Sequence, residues 1–279
     1  MEVSKLKNIV IIVLALLNLC LLALSGGRRM QDVRSREQAR ASAIEVIRAG
    51  GVSIDEVAVP KEMNLLPMVA QRDLKEEALQ AGNLLGGEVT VEARGGEVYR
   101  YTNAAGWLQV HGTGQYSAQM TGGEALTEQE RPEDHAAKLL ERLGIQSRAV
   151  TNNVAKGQGE VVLDQMLNGA ALLDCRVTVR YQDGFAVQIS GNRRLPGRTE
   201  QVEYAPIAVS TALMRLYNGL NDMGDVYSAI RSITPAYLLS AEGGGSVRLT
   251  PVWQVETDTG VYRLDTITGG LSRTGEHPR

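Results

Sequence analysis

The stretch GEVVLDQMLNGAALLDCRVTVRYQDGFAVQISG, residues 159–191, decides the fold class. It reads as strands joined by tight turns, because Asn168-Gly169 and Asp183-Gly184 are two-residue hairpin signals whose residues tolerate positive φ. Just before it, TEQERPEDHAAKLLERL (residues 127–143) reads as a helix. The same order occurs upstream. A helix starts near Asp73 and stops at Gly86-Gly87. Short alternating runs follow over residues 88–120, divided by Arg94-Gly95-Gly96, Asn103-Ala104 and His111-Gly112. It occurs again downstream, where APIAVSTALMRLYNGL (residues 205–220) precedes strand patterns at residues 225–240, 246–257 and 260–271. A helix followed by a strand meander, three times from Asp73, predicts an α+β fold in which each unit lays one helix across an antiparallel sheet.

Outside these units, SREQARASAIEVIRA (residues 35–49) reads as a helix ended by Gly50-Gly51. Pro60 and Pro67 then argue for an extended or irregular connection. The expected organisation is a segment at 1–27, a helix and linker at 28–72, a first helix-plus-sheet unit at 73–125, and a C-terminal α+β domain at 126–279 with two such units.

The first segment, KLKNIVIIVLALLNLCLLALSGGRR, has no charge from Ile9 to Ser25. Residues 8–27 as a helix reach ~30 Å, the thickness of a hydrocarbon core. A cleaved signal peptide is the competing reading: Lys5 and Lys7 form a positive entry, and Ala23-Leu24-Ser25 resembles a cleavage site. The apolar run of sixteen residues, Ile9 to Leu24, exceeds the ~7–15 of a signal core, which favours an uncleaved single-pass transmembrane anchor. Cys20 follows Leu19 rather than the small residue that lipidation signals require. Ile11, Ala15, Asn18, Leu22 and Ser25 fall at 4-3-4-3 spacing and form one seam, the expected interface with a partner membrane helix. The alternative is that Asn18 faces lipid alone. Arg28, Arg29, Arg34 and Arg36 after the span outnumber Lys5 and Lys7 before it, so charge alone would keep the C-terminal part in the cytoplasm.

Residues 28–279 carry a net charge of −4, from 27 Lys and Arg against 31 Asp and Glu, with both signs interspersed. No basic stripe is visible, so no nucleic-acid partner is expected. The two cysteines, Cys20 in the apolar span and Cys175 in a strand pattern, are not expected to pair; Cys175 reads as a small buried residue. No catalytic constellation emerges. Asp258-Thr259-Gly260 spells half of an aspartic-protease site, but it falls in a turn and has no second copy. His111-Gly112-Thr113-Gly114 would suit an oxyanion loop, yet no G-x-S-x-G nucleophile turn exists. Arg131 to His135, RPEDH, reads as a solvated helix start. Glu76 and Glu77, adjacent on a helix, point apart. Three histidines and no phosphate loop leave no expected metal or cofactor, and the chain reads as a non-enzyme.

Several stretches together resemble the YycI proteins of Gram-positive bacteria and their YycH relatives. The anchor carries the family's Lys-x-Ile entry at Lys7 to Ile9 and its Leu-Asn pair at Leu17-Asn18, although Val3 stands where a tryptophan is usual. RLTPVWQVETDTGVYRLDTITGGL resembles the family's closing hairpin through Pro251, Val252, Trp253, Tyr262, Thr268 and Gly269, a pattern shared with PepSY-type domains. YQDGFAVQISG from Tyr181 and APIAVSTALMRL from Ala205 also fit. The resemblance implies a cell-membrane protein with its C-terminal domain extracytoplasmic. Its implied partners are the sensor histidine kinase of a WalK/WalR-type two-component system and a YycH-like sister protein, with signalling through the membrane helices. The runner-up is a PepSY-like anchored protein that inhibits a peptidase or binds cell-wall components.

Overall fold

The computed structural model describes Leu14 and residues 31–274, apart from Glu128, Pro196, Arg198, Ala205 and Gly244. The seam residues Ile11, Ala15, Asn18, Leu22 and Ser25 of the expected anchor lie outside the described residues. Among the described residues no helix is long and apolar enough to cross a membrane.

The helices are α1 (residues 31–49), α2 (Leu74–Leu85), α3 (Pro132–Arg142) and α4 (Val209–Asp222). The strands before α3 are β1 (Ser53–Ile54), β2 (Met68–Gln71), β3 (Thr90–Ala93), β4 (Tyr99–Asn103), β5 (Gly106–Val110) and β6 (Tyr116–Met120). Between α3 and α4 come β7 (Gln146–Asn152), β8 (Gly159–Leu167), β9 (Ala170–Gln182), β10 (Phe185–Gly191) and β11 (Thr199–Gln201). The last are β12 (Ala229–Gly243), β13 (Ser246–Thr257), β14 (Val261–Asp265) and β15 (Leu271–Arg273). The fold is α+β, as the helix-then-meander pattern predicts.

Local chemistry accounts for the helix ends. The Asp73 carboxylate accepts from the backbone N–H groups of Lys75 and Glu76, and Gly86 closes α2 at φ 74°. The helix expected from Thr127 begins only at Pro132, because proline takes the first helical position, where no intrahelical N–H bond is needed. Likewise α4 starts at Val209 rather than Ala205, with Ala208 still extended at ψ 148°.

All strands join one hydrogen-bonded network with the central order β11-β2-β13-β12-β9-β10-β6-β5-β4-β3. Two main cores form on it. In the first, Ala81, Leu84 and Leu85 of α2 and Leu139 and Leu140 of α3 cover Tyr101, Leu108, Val161 and Val179 of the sheet. In the second, Ile44 and Ile47 of α1 and Leu213 and Leu216 of α4 cover Trp253, Val255, Tyr262 and Leu264. Residues on both sides of position 125 thus share the first core, since β6 also pairs with β10. The second core draws in Ile54 of β1, which pairs parallel to β12, while Met68 and Ala70 of β2, which lies between β11 and β13, join a third cluster with Leu172, Tyr237 and Leu249.

The strand β9 belongs to both halves. One edge pairs with β8 from Ala170 to Tyr181; on the other, Val177–Gln182 pair with β10, while Ala171–Leu173 run parallel to Ala236–Leu238 of β12. Between these parts the side-chain alternation slips: Leu172 and Leu173 are both buried, and Asp174 is exposed with φ 59°. This irregularity re-aims the strand, and Arg263 of β14 holds the Asp174 carboxylate through two bonds of 2.8 Å.

Candidate functional site

The first helix presents the most distinctive surface for contact. In α1 the buried residues are Arg40, Ala43, Ile44 and Ile47, an i, i+3, i+4, i+7 stripe on one face. Residues 31–39 are all exposed, so about 13 Å of helix stands clear of the body. The docked half is held firmly. Ile44 and Ile47 contribute about 1.5–3 kcal/mol each by burial. Gly50 lets the helix end approach α4, where an added Cβ would lie 2.0 Å from the Tyr217 hydroxyl.

Two arginines then wrap the following segment around α1. Arg40, 4 % exposed, donates to the carbonyls of Glu56 (2.7 Å) and Val59 (3.1 Å) and to the Glu56 carboxylate (3.1 Å). Arg48 donates twice to the Ile54 carbonyl, at 2.8 and 3.1 Å. Ile54 sits in β1 against β12, so α1 is tied to the sheet by side-chain bonds as well as by apolar contact. The sequence reading finds the helix but not these arginines, because carbonyl partners leave no pattern in a sequence.

The residues weighed as chemical candidates take structural positions. Asp258 does more than shape a turn. Its carboxylate accepts from the Ser228 hydroxyl (2.7 Å), the Ser228 N–H (3.1 Å) and the Ala229 N–H (3.2 Å), which fastens the start of β12. Those bonds, led by the Ser228 hydroxyl, lower its pKa to about 2. His111 to Gly114 form the β5–β6 turn, with the Gly114 N–H donating to the His111 carbonyl. Cys175 is buried, and burial pushes its thiol up to about 12.

The expected solvated RPEDH segment divides in two. Arg131 and Asp134 are exposed and pair with each other, but His135 is 2 % exposed. Its Nδ1 lies 2.8 Å from the Tyr181 hydroxyl, and burial lowers its pKa. The helical period explains the correction: His135 shares the α3 face of Leu139, which enters the core.

Glu77, the inward member of the Glu76-Glu77 pair, centres a buried charge cluster. It accepts from Arg72 Nε (2.8 Å), Arg72 Nη2 (3.0 Å) and the Tyr101 hydroxyl (2.8 Å). Burial and the Glu77 charge both raise the Tyr101 pKa, so the phenol stays protonated and donates. Arg194 adjoins this cluster, 5 % exposed, with Nη2 donating to the Leu143 carbonyl (3.0 Å). Burial lowers its pKa, and Glu77 opposes that effect. Among the described residues no group of three or more His, Cys, Asp or Glu side chains is arranged to hold a metal ion.

No family profile and no curated protein matches the chain. Among solved structures, the crystal structure of an uncharacterized protein from Eubacterium rectale is similar at 11% identity and a TM-score of 0.46, covering 80% of this chain and 89% of that one.

Proposed function

We propose that this chain is a membrane-anchored extracytoplasmic regulator that acts by protein contact on a sensor histidine kinase of the WalK type, together with a YycH-like sister protein. The observation that carries the reading is the half-docked helix α1, whose exposed residues 31–39 come shortly after the uncharged run Ile9 to Ser25 in the sequence. A displacement of the anchor would pass through residues 31–39 to the stripe Arg40, Ala43, Ile44 and Ile47, and from there to β1 and β12. Within the membrane, Ile11, Ala15, Asn18, Leu22 and Ser25 form the partner-facing seam, with small side chains allowing close approach and Asn18 bonding across. The YycI-like anchor and closing hairpin supply the identity of the partner, and with them the PepSY-like character of the C-terminal strands. The chain acts by contact and not by catalysis.

Co-purification from detergent-solubilised membranes tests this. The kinase and the sister protein are expected to travel with the full-length chain. Asn18→Leu weakens association by roughly 3-fold and at most ~20-fold, and Ala15→Leu added to it weakens association further. Cys20→Leu, off the seam, has little effect. Equal disruption by Cys20→Leu and by the double variant overturns the seam, and a mature N-terminus at Gly26 overturns the anchor.

A further inference from the structure

The helices cover one face of the sheet. Val161, Leu163, Val177 and Val179 turn toward α2 and α3, and Trp253, Val255, Tyr262 and Leu264 toward α1 and α4. The alternate residues Asp164, Arg176, Gln254 and Arg263 therefore point to the other face. There a cavity of about 640 Å³ lies across the β9–β12 seam, a volume within the range of ligand-binding pockets. Both halves of the fold line it, β7, β8 and β9 from one and β12, β13 and β14 from the other. Leu173 and Ala236, buried together in a small apolar cluster, supply part of the lining.

The charges of this lining are segregated by half. Asp164 stands opposite Arg148 in the β7–β8 register and opposite Arg176 in the β8–β9 register, with Arg176 Nε 3.5 Å from its carboxylate. One carboxylate between two guanidiniums leaves that side with a net positive charge. Asp174 and Arg263 neutralise each other through two bonds of 2.8 Å. The remaining charge is Glu256 on β13, whose register neighbours Ser232 and Val261 carry none. The cavity thus offers one surplus positive charge from the first half and one negative charge from the second.

A complementary ligand carries an anionic group at one end and a cationic group at the other. A compact space of this volume is ~11 Å across, the length of about three extended residues at ~3.3–3.6 Å each. A peptide of that length with both termini free has the required charges at the required separation. Its backbone can bond the Thr234 hydroxyl and the Gln254 carboxamide, which also line the cavity. We propose that this cavity binds a short zwitterionic peptide, with the terminal carboxylate at Arg148 and Arg176 and the terminal ammonium at Glu256. Arg148 and Glu256 are exposed, so water and salt screen each contact and the affinity is modest. The occupant touches both halves of the fold, which this sheet joins through only the short parallel pairing of Ala171–Leu173 with Ala236–Leu238.

The test is titration calorimetry on the full chain in detergent, at about pH 6.5, where a peptide's α-amine is charged. The probes are trialanine, its N-acetyl form and its C-terminal amide. Trialanine is expected to bind, and each capped form to bind roughly 2- to 5-fold more weakly, the scale of one solvent-accessible ion pair. Glu256→Gln should abolish the preference for trialanine over the N-acetyl form and keep the preference over the amide. Arg148→Gln, which neutralises the positive side, should do the reverse. Both positions are exposed, so both variants are expected to fold. Equal binding of trialanine and its capped forms, no binding of trialanine at about 10 mM, or a variant that retains the preference it should lose overturns the proposal.

Discussion

Glu77→Gln isolates the charge in the buried cluster beneath α2. The substitution keeps the side chain's size and its place on the helix, yet removes the carboxylate that pairs with Arg72 and adjoins Arg194. The Glu77 and Arg72 side chains are 4% and 10% exposed, so water can do little to compensate. Breaking a pair this deep costs about 3–5 kcal/mol, chiefly because the surviving cation stays buried. Tyr101→Phe removes only the 2.8 Å phenol bond and leaves both arginine bonds in place, which puts its cost at about 1.5–3 kcal/mol. The two losses overlap, because both act on the same carboxylate, so the double variant should cost less than their sum. Asp134→Asn is the control: its bonds to Arg131 are just as short at 2.9 Å, but both side chains are mostly exposed, and its cost should be far smaller. Urea unfolding followed by hydrogen exchange at α2 and β4 amides reads the effect where it arises. A Glu77→Gln cost below about 1 kcal/mol, or a control that costs as much, refutes the argument.

Ile47→Ala should destabilise the α1 docking by about 2–5 kcal/mol, with exchange protection lost in α1 and β1 but kept in α2. Cys175 should resist alkylation in the native chain and react at once in denaturant, because its thiol is both buried and pushed up to about 12. His135, lowered by burial, contributes stability that is complete above its ordinary value of 6.5 and fades as the pH falls through its folded value; His135→Phe should flatten that part of the stability–pH curve. Asp258 acts at lower pH: its contribution is complete above the ordinary 3.8 and is lost as the pH falls through about 2, so Asp258→Asn should make acid unfolding shallower there.

Elements marked by local chemistry were legible in the sequence. Asp73 and Gly86 bound α2 where a capping acid and a glycine say they should, and Asn168 and Asp183 take the positive φ their hairpins require. What the sequence hid was pairing between distant segments. Nothing in MVAQ, residues 68–71, announces a strand that fits between β11 and β13, since its partners are chosen by the completed sheet. The slip at Asp174 was equally silent, because the left-handed backbone is stabilised by Arg263, far along the chain. The Tyr101–Glu77 bond escaped for the same reason: β4 and α2 meet only in the folded chain.

The position of β2 beside β13 bears on how the chain is made. During synthesis α1, β1 and β2 emerge well before α4, β12 and β13, against which they pack. Residues 73–191, by contrast, hold most of their own core and can mature while translation continues. The long loop closure that brings Met68 against Leu249 therefore comes late. Until it does, α1 and β1 have no complete seat, and a chain halted before β12 presents α1 undocked. Seating of α1 thus reports that α4, β12 and β13 have been made.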